Sequence, residues 1–178
     1  MVVIVNNPAD LVNVLTMLSA NDTNIVKQGE KALKPILKQP MCLPALLNIV
    51  GSRELTEVVR HQAALLLKKK ATLYSKFNES EKVSIRAQFL SAMVNENVKV
   101  IGTALAGAVA ALAKASMASK HPTQWPELFQ AIMTLAQHPE ERLKVLTYSL
   151  LAQVSIKSNF ISFFLSQRAL INLFLYIF

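Results

Sequence analysis

Three histidines, one cysteine and a few adjacent acids are the side chains with which this sequence could do metal or covalent chemistry. Zinc sites draw His and Cys ligands from short, repeated spacings. His61, His121 and His138 are far apart in the chain, and Cys42 has no second cysteine to join it. The acidic pair Glu140-Glu141 falls at a helix start, where carboxylates complement the helix dipole. The sequence has neither a Gly-rich phosphate loop nor a Gly-x-Ser-x-Gly elbow. These residues read as no enzyme, no metal site and no cofactor site. What remains is charge: 19 Lys and Arg against 11 Asp and Glu, a formal +8. The basic residues are spread along the chain, with one tight run at Lys68-Lys69-Lys70. No Arg-rich tail or Gly/Arg segment accompanies them, so direct nucleic-acid binding is not expected. The lysine run sits where a helix ends, which suits the helix dipole; contact with an acidic partner is the other reading.

The elements that must carry these residues are helices. Apolar residues make up 52% of 178, with 4 Gly and 7 Pro, and Ala, Leu, Lys, Glu and Gln are strong helix formers. Leu11, Val14, Leu15 and Leu18 fall at helical spacing after Pro8. Asn21-Asp22-Thr23 is a turn and an N-cap signal. A second helix follows over 24–38, with Ile25, Ala32, Leu33, Ile36 and Leu37 inward and Pro35 kinking or shortening it. Pro40 opens a third helix through Leu43, Leu46, Leu47 and Val50, closed by Gly51-Ser52. Helices are predicted over 55–74, with Val58, Val59, Ala63, Leu66, Leu67 and Ala71 inward, and over 80–94, with Val83, Ile85, Phe89, Leu90 and Met93 inward. An Ala-rich helix spans 98–116, one begins at Trp125-Pro126 and ends near Gln137, and an eighth starts at Pro139-Glu140.

Helix, short turn, helix thus recurs four times. A basic residue stands early in each second helix: Lys27, Arg60, Lys99 and Arg142, separated by 33, 39 and 43 residues. Pairs of about that length are characteristic of HEAT and armadillo arrays, in which each pair buries its inner faces against the next. The fold class is all-α, an α-α superhelix of HEAT/armadillo-type repeats over residues 8–155. The segment 156–178 is an apolar tail without amphipathic spacing. It reads as a truncation or a product of translation past a splice boundary. A membrane anchor is the weaker reading of it, because Gln167-Arg168 interrupts the apolar run. Cys42 as the lone cysteine suits a reducing compartment, and MVVIVNNPADL does not resemble a signal peptide.

Three stretches together resemble the N-terminal domain of the importin-β (karyopherin-β) family: EKALKPILKQPMCLPALLNIV, EVVRHQAALLLKKK and SEKVSIRAQFLSAMVNE. Glu30, Leu33, Leu43, Leu46, Val59, Arg60, Ala63, Leu67 and Lys68 match that domain's pattern in order, and Trp125-Pro-Glu-Leu128 is typical of these receptors. The resemblance covers about residues 8–155 and is greatest to the importin-four type. It implies a nuclear transport receptor, or a fragment of one, shared between cytoplasm, nucleus and nuclear pore. The implied partners are the small GTPase Ran in its GTP form, cargo proteins including basic ones such as core histones or ribosomal proteins, and Phe-Gly nuclear pore proteins, with no membrane. Family members are usually acidic and much longer, so this basic chain departs from them. A general HEAT scaffold without a GTPase role is the alternative, and a membrane-anchored adaptor using the apolar tail is a third reading.

In the family the second helices of the pairs line the concave side. The resemblance therefore places GTPase contacts at Lys27, Glu30, Arg60, Gln62, Lys68 and Lys99. The early basic residues Lys27, Arg60, Lys99 and Arg142 have a structural reading as well, as a ladder joining neighbouring repeats. Trp125, before a proline at a helix start, is read as a packing anchor. Phe-Gly docking needs apolar slots between first helices, which carry Leu11, Leu46, Phe89 and Leu128.

Overall fold

The computed structural model describes residues 8–117 and 125–155; the readings placed on His121 and on the apolar tail lie outside them. Eight α-helices follow in order: α1 (Pro8–Met17), α2 (Thr23–Ile36), α3 (Cys42–Gly51), α4 (Glu57–Lys70), α5 (Glu79–Val94), α6 (Lys99–Met117), α7 (Pro126–Ala136) and α8 (Glu141–Ser155). A 3-10 stretch, Ala71–Lys76, extends α4. No strand occurs among the described residues. Odd-numbered and even-numbered helices form the pairs, α1 with α2 through α7 with α8, and successive pairs stack through α4, α6 and α8.

Local sequence explains the starts and stops. Asp22 accepts a hydrogen bond from the Asn24 amide at 2.7 Å and caps α2. Asn78 and Glu81 form a reciprocal capping box at α5. Pro126 occupies the first position of α7, where a missing N–H costs nothing. α2 runs through Pro35 and ends at Ile36, two residues earlier than the spacing predicts.

The core runs unbroken from Leu11 to Val154. Each fully buried Leu, such as Leu43 or Leu105, contributes roughly 1.5–3 kcal/mol. At its centre lies α6, packed on α4, α5 and α8. Its small residues allow this: Ala104, Ala106, Ala108, Ala110 and Ala113 are all buried. A Cβ at Gly102 would come within 3.1 Å of Leu146 Cδ2, so α8 lies directly against that glycine. Lys99–Ser116 is long and apolar enough to cross a membrane by length and composition. Here it is the core helix of the stack.

Three residues expected inward are exposed instead. On α5 the buried face runs through Ile85, Phe89 and Met93, and Val83 lies two residues off it, 51% exposed. On α4 the face is Val59, Ala63 and Leu67, which turns Val58 outward at 56% exposure. Ile25 continues the buried face of α2 but is still 38% exposed in its first turn.

Candidate recognition surface

The second helices carry nearly all of the residues assigned to recognition, and the structure divides them into ties and free side chains. Near the amino ends of the helices the central tie is Glu96, a buried acid in the turn before α6. Its carboxylate pairs with Arg60 of α4 and, at 2.9 Å, with Arg53 in the turn before α4. It also accepts the Val98 amide at 2.8 Å, close to the positive end of α6. Arg60 donates a further bond to the Val50 carbonyl at 2.9 Å. From the fourth pair, Arg142 donates to the Glu96 carbonyl at 2.5 Å and to the Val94 carbonyl at 3.2 Å. One short turn thereby holds three successive pairs together. Arg142 also bonds Glu140 at 2.7 Å, and that guanidinium holds the Glu140 carboxyl below the usual carboxylate range.

A second tie joins the carboxyl ends. Lys68 of α4 reaches across α6 to Gln153 Oε1 on α8 at 3.0 Å. Lys114 of α6 donates to the Gln153 carbonyl at 2.5 Å. The crossing requires Gly107: a Cβ there would stand 2.8 Å from Gln153 Oε1 and 3.1 Å from Lys68 Nζ. The first pair is linked to the second by Gln62, whose amide donates to Ser19 Oγ at 3.0 Å.

These ties change the reading of the six residues assigned to the GTPase. Arg60 is only 3% exposed and its guanidinium is bonded through Nε and Nη2, so it is no part of an open surface. Gln62 is half-buried and serves as a link. Lys68 is exposed along its length but bonded at its tip. Lys27, Glu30 and Lys99 are exposed, and no hydrogen bond or ion pair engages their side chains among the described residues. The ladder of early basic residues accordingly exists at Arg60 and Arg142 and is missing at Lys27 and Lys99.

Between the ties the second helices leave apolar side chains in the open: Val58 and Leu65 on α4, Val100 on α6, Val145 and Tyr148 on α8. Nothing in the sequence singled these out, because periodicity names a helix's core face but not which stray valines remain uncovered. Glu96 and Gln153 were missed for a related reason: an acid in a turn and a glutamine late in a helix carry no pattern of their own. On the other side of the stack, Leu11, Leu46, Phe89 and Leu128 are all buried and line no slot. A cleft of about 380 Å³ does open between α3 and α5, lined by Leu47, Val50 and Ala92 with Asn48, Gln88 and Ser91 on its polar part. Trp125 is buried as a packing anchor, 4% exposed. Burial pushes the Cys42 thiol up to about 11, although Lys70 pulls against the shift. No group of three or more His, Cys, Asp or Glu suited to a metal occurs among the described residues.

Residues 29–95 match the family described as Importin-beta N-terminal domain. Importin-11 of Homo sapiens is 31% identical over 129 residues, 69% of this chain and 13% of the relative. Importin-4 of Mus musculus is 24% identical over 166 residues, 93% of this chain and 15% of the relative. The chain belongs to the importin-β family. It corresponds to the N-terminal region of its relatives and spans about an eighth to a seventh of their length. The same fold occurs in the crystal structure of Kap121p bound to RanGTP, with a TM-score of 0.70 and 21% identity over 83% of this chain and 14% of that one. Kap121p bound to Nup53p superposes with a TM-score of 0.69 at 20% identity. The importin-β match begins inside α2 and ends at Asn95, one residue before the buried acid that closes the amino-end tie.

Proposed function

We propose that this chain is the N-terminal repeat array of a nuclear transport receptor and that the exposed faces of its second helices bind Ran in its GTP form. The observation that carries the reading is the row of uncovered valines on successive second helices, Val58, Val100 and Val145, with the free lysines Lys27 and Lys99 nearby in the same helix set. Second helices that are braced to one another at both ends present such side chains on a rigid frame, which lowers the entropy lost on binding. Its relatives' names and the Kap121p structure bound to RanGTP support the assignment. Of the six residues first assigned to the GTPase, Lys27, Glu30, Lys68 and Lys99 remain candidates for direct contact. Arg60 and Gln62 act by holding the frame.

Receptors of this kind move between cytoplasm and nucleus and carry cargo, and Kap121p has been crystallised bound to Ste12p and to Pho4p. Basic cargo such as histones or ribosomal proteins would meet like charge on a chain of net +8, so such cargo belongs on repeats beyond these four. The cleft between α3 and α5 is the candidate place for a Phe-Gly side chain.

The test is binding of the chain to Ran loaded with a GTP analogue and, separately, with GDP. The GTP form should bind more tightly, and V58E/V100E should weaken it at least about tenfold while leaving the helical circular dichroism intact. Equal or absent binding by the folded chain would leave a HEAT scaffold with other partners.

A further inference from the structure

The lysines of α2 form a second charged feature that the GTPase reading does not require. Lys27, Lys31 and Lys34 stand at i, i+4 and i+7, which puts them on one face, and Lys38 follows in the turn that closes the helix. All four are exposed. No hydrogen bond or ion pair holds any of them among the described residues. The opposite face of α2, Gly29, Leu33 and Ile36, is buried, and α1 is its principal packing partner. The lysines therefore point away from the core along a stripe about 16 Å long.

The bland account of such a stripe is a solvated helix end. It covers Lys34 and Lys38, whose charges suit the negative end of the helix dipole. It does not cover Lys27, which lies toward the positive end. Lys27 with Lys31 and Lys34 with Lys38 are also like charges one turn apart, and the one acid of the helix, Glu30, offsets them only in part, leaving the helix net positive. Every other second helix uses a basic residue to tie repeats together; this one ties nothing with its lysines among the described residues.

We propose that the stripe Lys27, Lys31, Lys34 and Lys38 docks an acidic polypeptide segment. Its chemistry selects carboxylates over nucleic acid. The helix carries no aromatic side chain on which a base could stack and no arginine to fork onto a phosphate. Four ammonium groups at one-turn spacing match carboxylates along an extended or helical peptide as point charges. The inference does not rest on the GTPase reading, and its test contains no GTPase.

The full chain is titrated into a dye-labelled peptide rich in glutamate, into a Gly/Ser peptide of equal length, and into a single-stranded oligonucleotide of similar charge. The acidic peptide should bind with an affinity that falls as salt rises, the neutral peptide should not bind, and the oligonucleotide should bind more weakly than the acidic peptide. K27Q/K31Q/K34Q should weaken acidic-peptide binding about tenfold or more, K31Q alone by an intermediate amount, and K69Q/K76Q hardly at all. Circular dichroism of each variant checks that the helices remain. Equal loss in K69Q/K76Q and in the α2 variant would overturn the proposal as diffuse attraction to a basic chain. Unchanged binding in the α2 variant, or tighter binding of the oligonucleotide through the same lysines, would overturn it as well.

Discussion

The second helices of this array fall into two regions. In α4, α6 and α8 four basic residues reach the neighbouring repeats, while Lys99 stays exposed: Arg60 and Arg142 meet at the Glu96 turn, and Lys68 and Lys114 meet at Gln153. In α2 the basic residues face water and hold nothing among the described residues. Net charge does not distinguish the regions, since α2, α4, α6 and α8 each carry more basic than acidic residues. The difference lies in what the next turn supplies. Before α6 there is a buried carboxylate with its lone pairs occupied by two guanidiniums and an amide. Before α4 the acid available is Glu54, which is exposed and pairs with no lysine of α2. A basic residue in this fold is a brace only where a neighbouring pair brings an acceptor to it, and is otherwise free for a partner.

The largest way to break this contrast is to remove the acceptor. Glu96→Gln leaves the buried Arg60 guanidinium without a counter-charge, and such a loss costs roughly 3–5 kcal/mol. Urea denaturation should show it as a large fall in midpoint, whereas Glu30→Gln on α2 should stay within about 0.5 kcal/mol. A small effect at Glu96 would mean that the tie is ornamental.

Two glycines sharpen the comparison at an intermediate scale. A Cβ at Gly29 would meet Met17 Cβ at 3.1 Å and the Val14 carbonyl at 3.4 Å, so α1 itself has to give. Gly29→Ala should therefore destabilise by about 1–2 kcal/mol, after the better helix propensity of Ala offsets part of the overpacking. At Gly107 the obstacles are the tips of Lys68 and Gln153, which can swing away. Gly107→Ala should leave thermal stability within about 1 kcal/mol of the parent, because gained propensity and the lost hydrogen bond nearly cancel. It should also abolish any energetic coupling between Lys68 and Gln153 in a double-mutant cycle. A fall at Gly107 as large as that at Gly29 would contradict the assignment of flexible neighbours there.

The smallest effect concerns Cys42. Its thiol is raised by burial from 9.0 to about 11 in the folded chain. Raised in the fold, it favours the folded state fully below about pH 9, and that contribution is lost as pH climbs towards 11. Alkylation at pH 8 should be much slower in the folded chain than in urea, and equal rates would show that the α3 region opens freely.

Much of the fold was readable because a solenoid repeats itself. Leu11, Val14 and Leu15, or Leu43, Leu46 and Leu47, declare a helix face by spacing alone, and the capping residues Asp22 and Asn78 mark where helices begin. The errors were local: Val58 and Val83 are apolar and helical but lie off the buried arc. The recognition surface was less readable. Recurrence at Lys27, Arg60, Lys99 and Arg142 gave one expectation for four residues, and packing gave them two different roles. That division depends on Glu96, Gly107 and Gln153, which come from other repeats and follow no period. Exposure likewise belongs to the assembled stack, so the free faces at Val100 and Tyr148 could be found only in three dimensions.

The division of basic residues into braces and free side chains is tested most directly by two double-mutant cycles on stability, one for Arg60 with Glu96 and one for Lys27 with Glu30. The account predicts a coupling of about 2–3 kcal/mol for the first pair and less than about 0.5 kcal/mol for the second. Couplings of equal size, whether both large or both negligible, would contradict it.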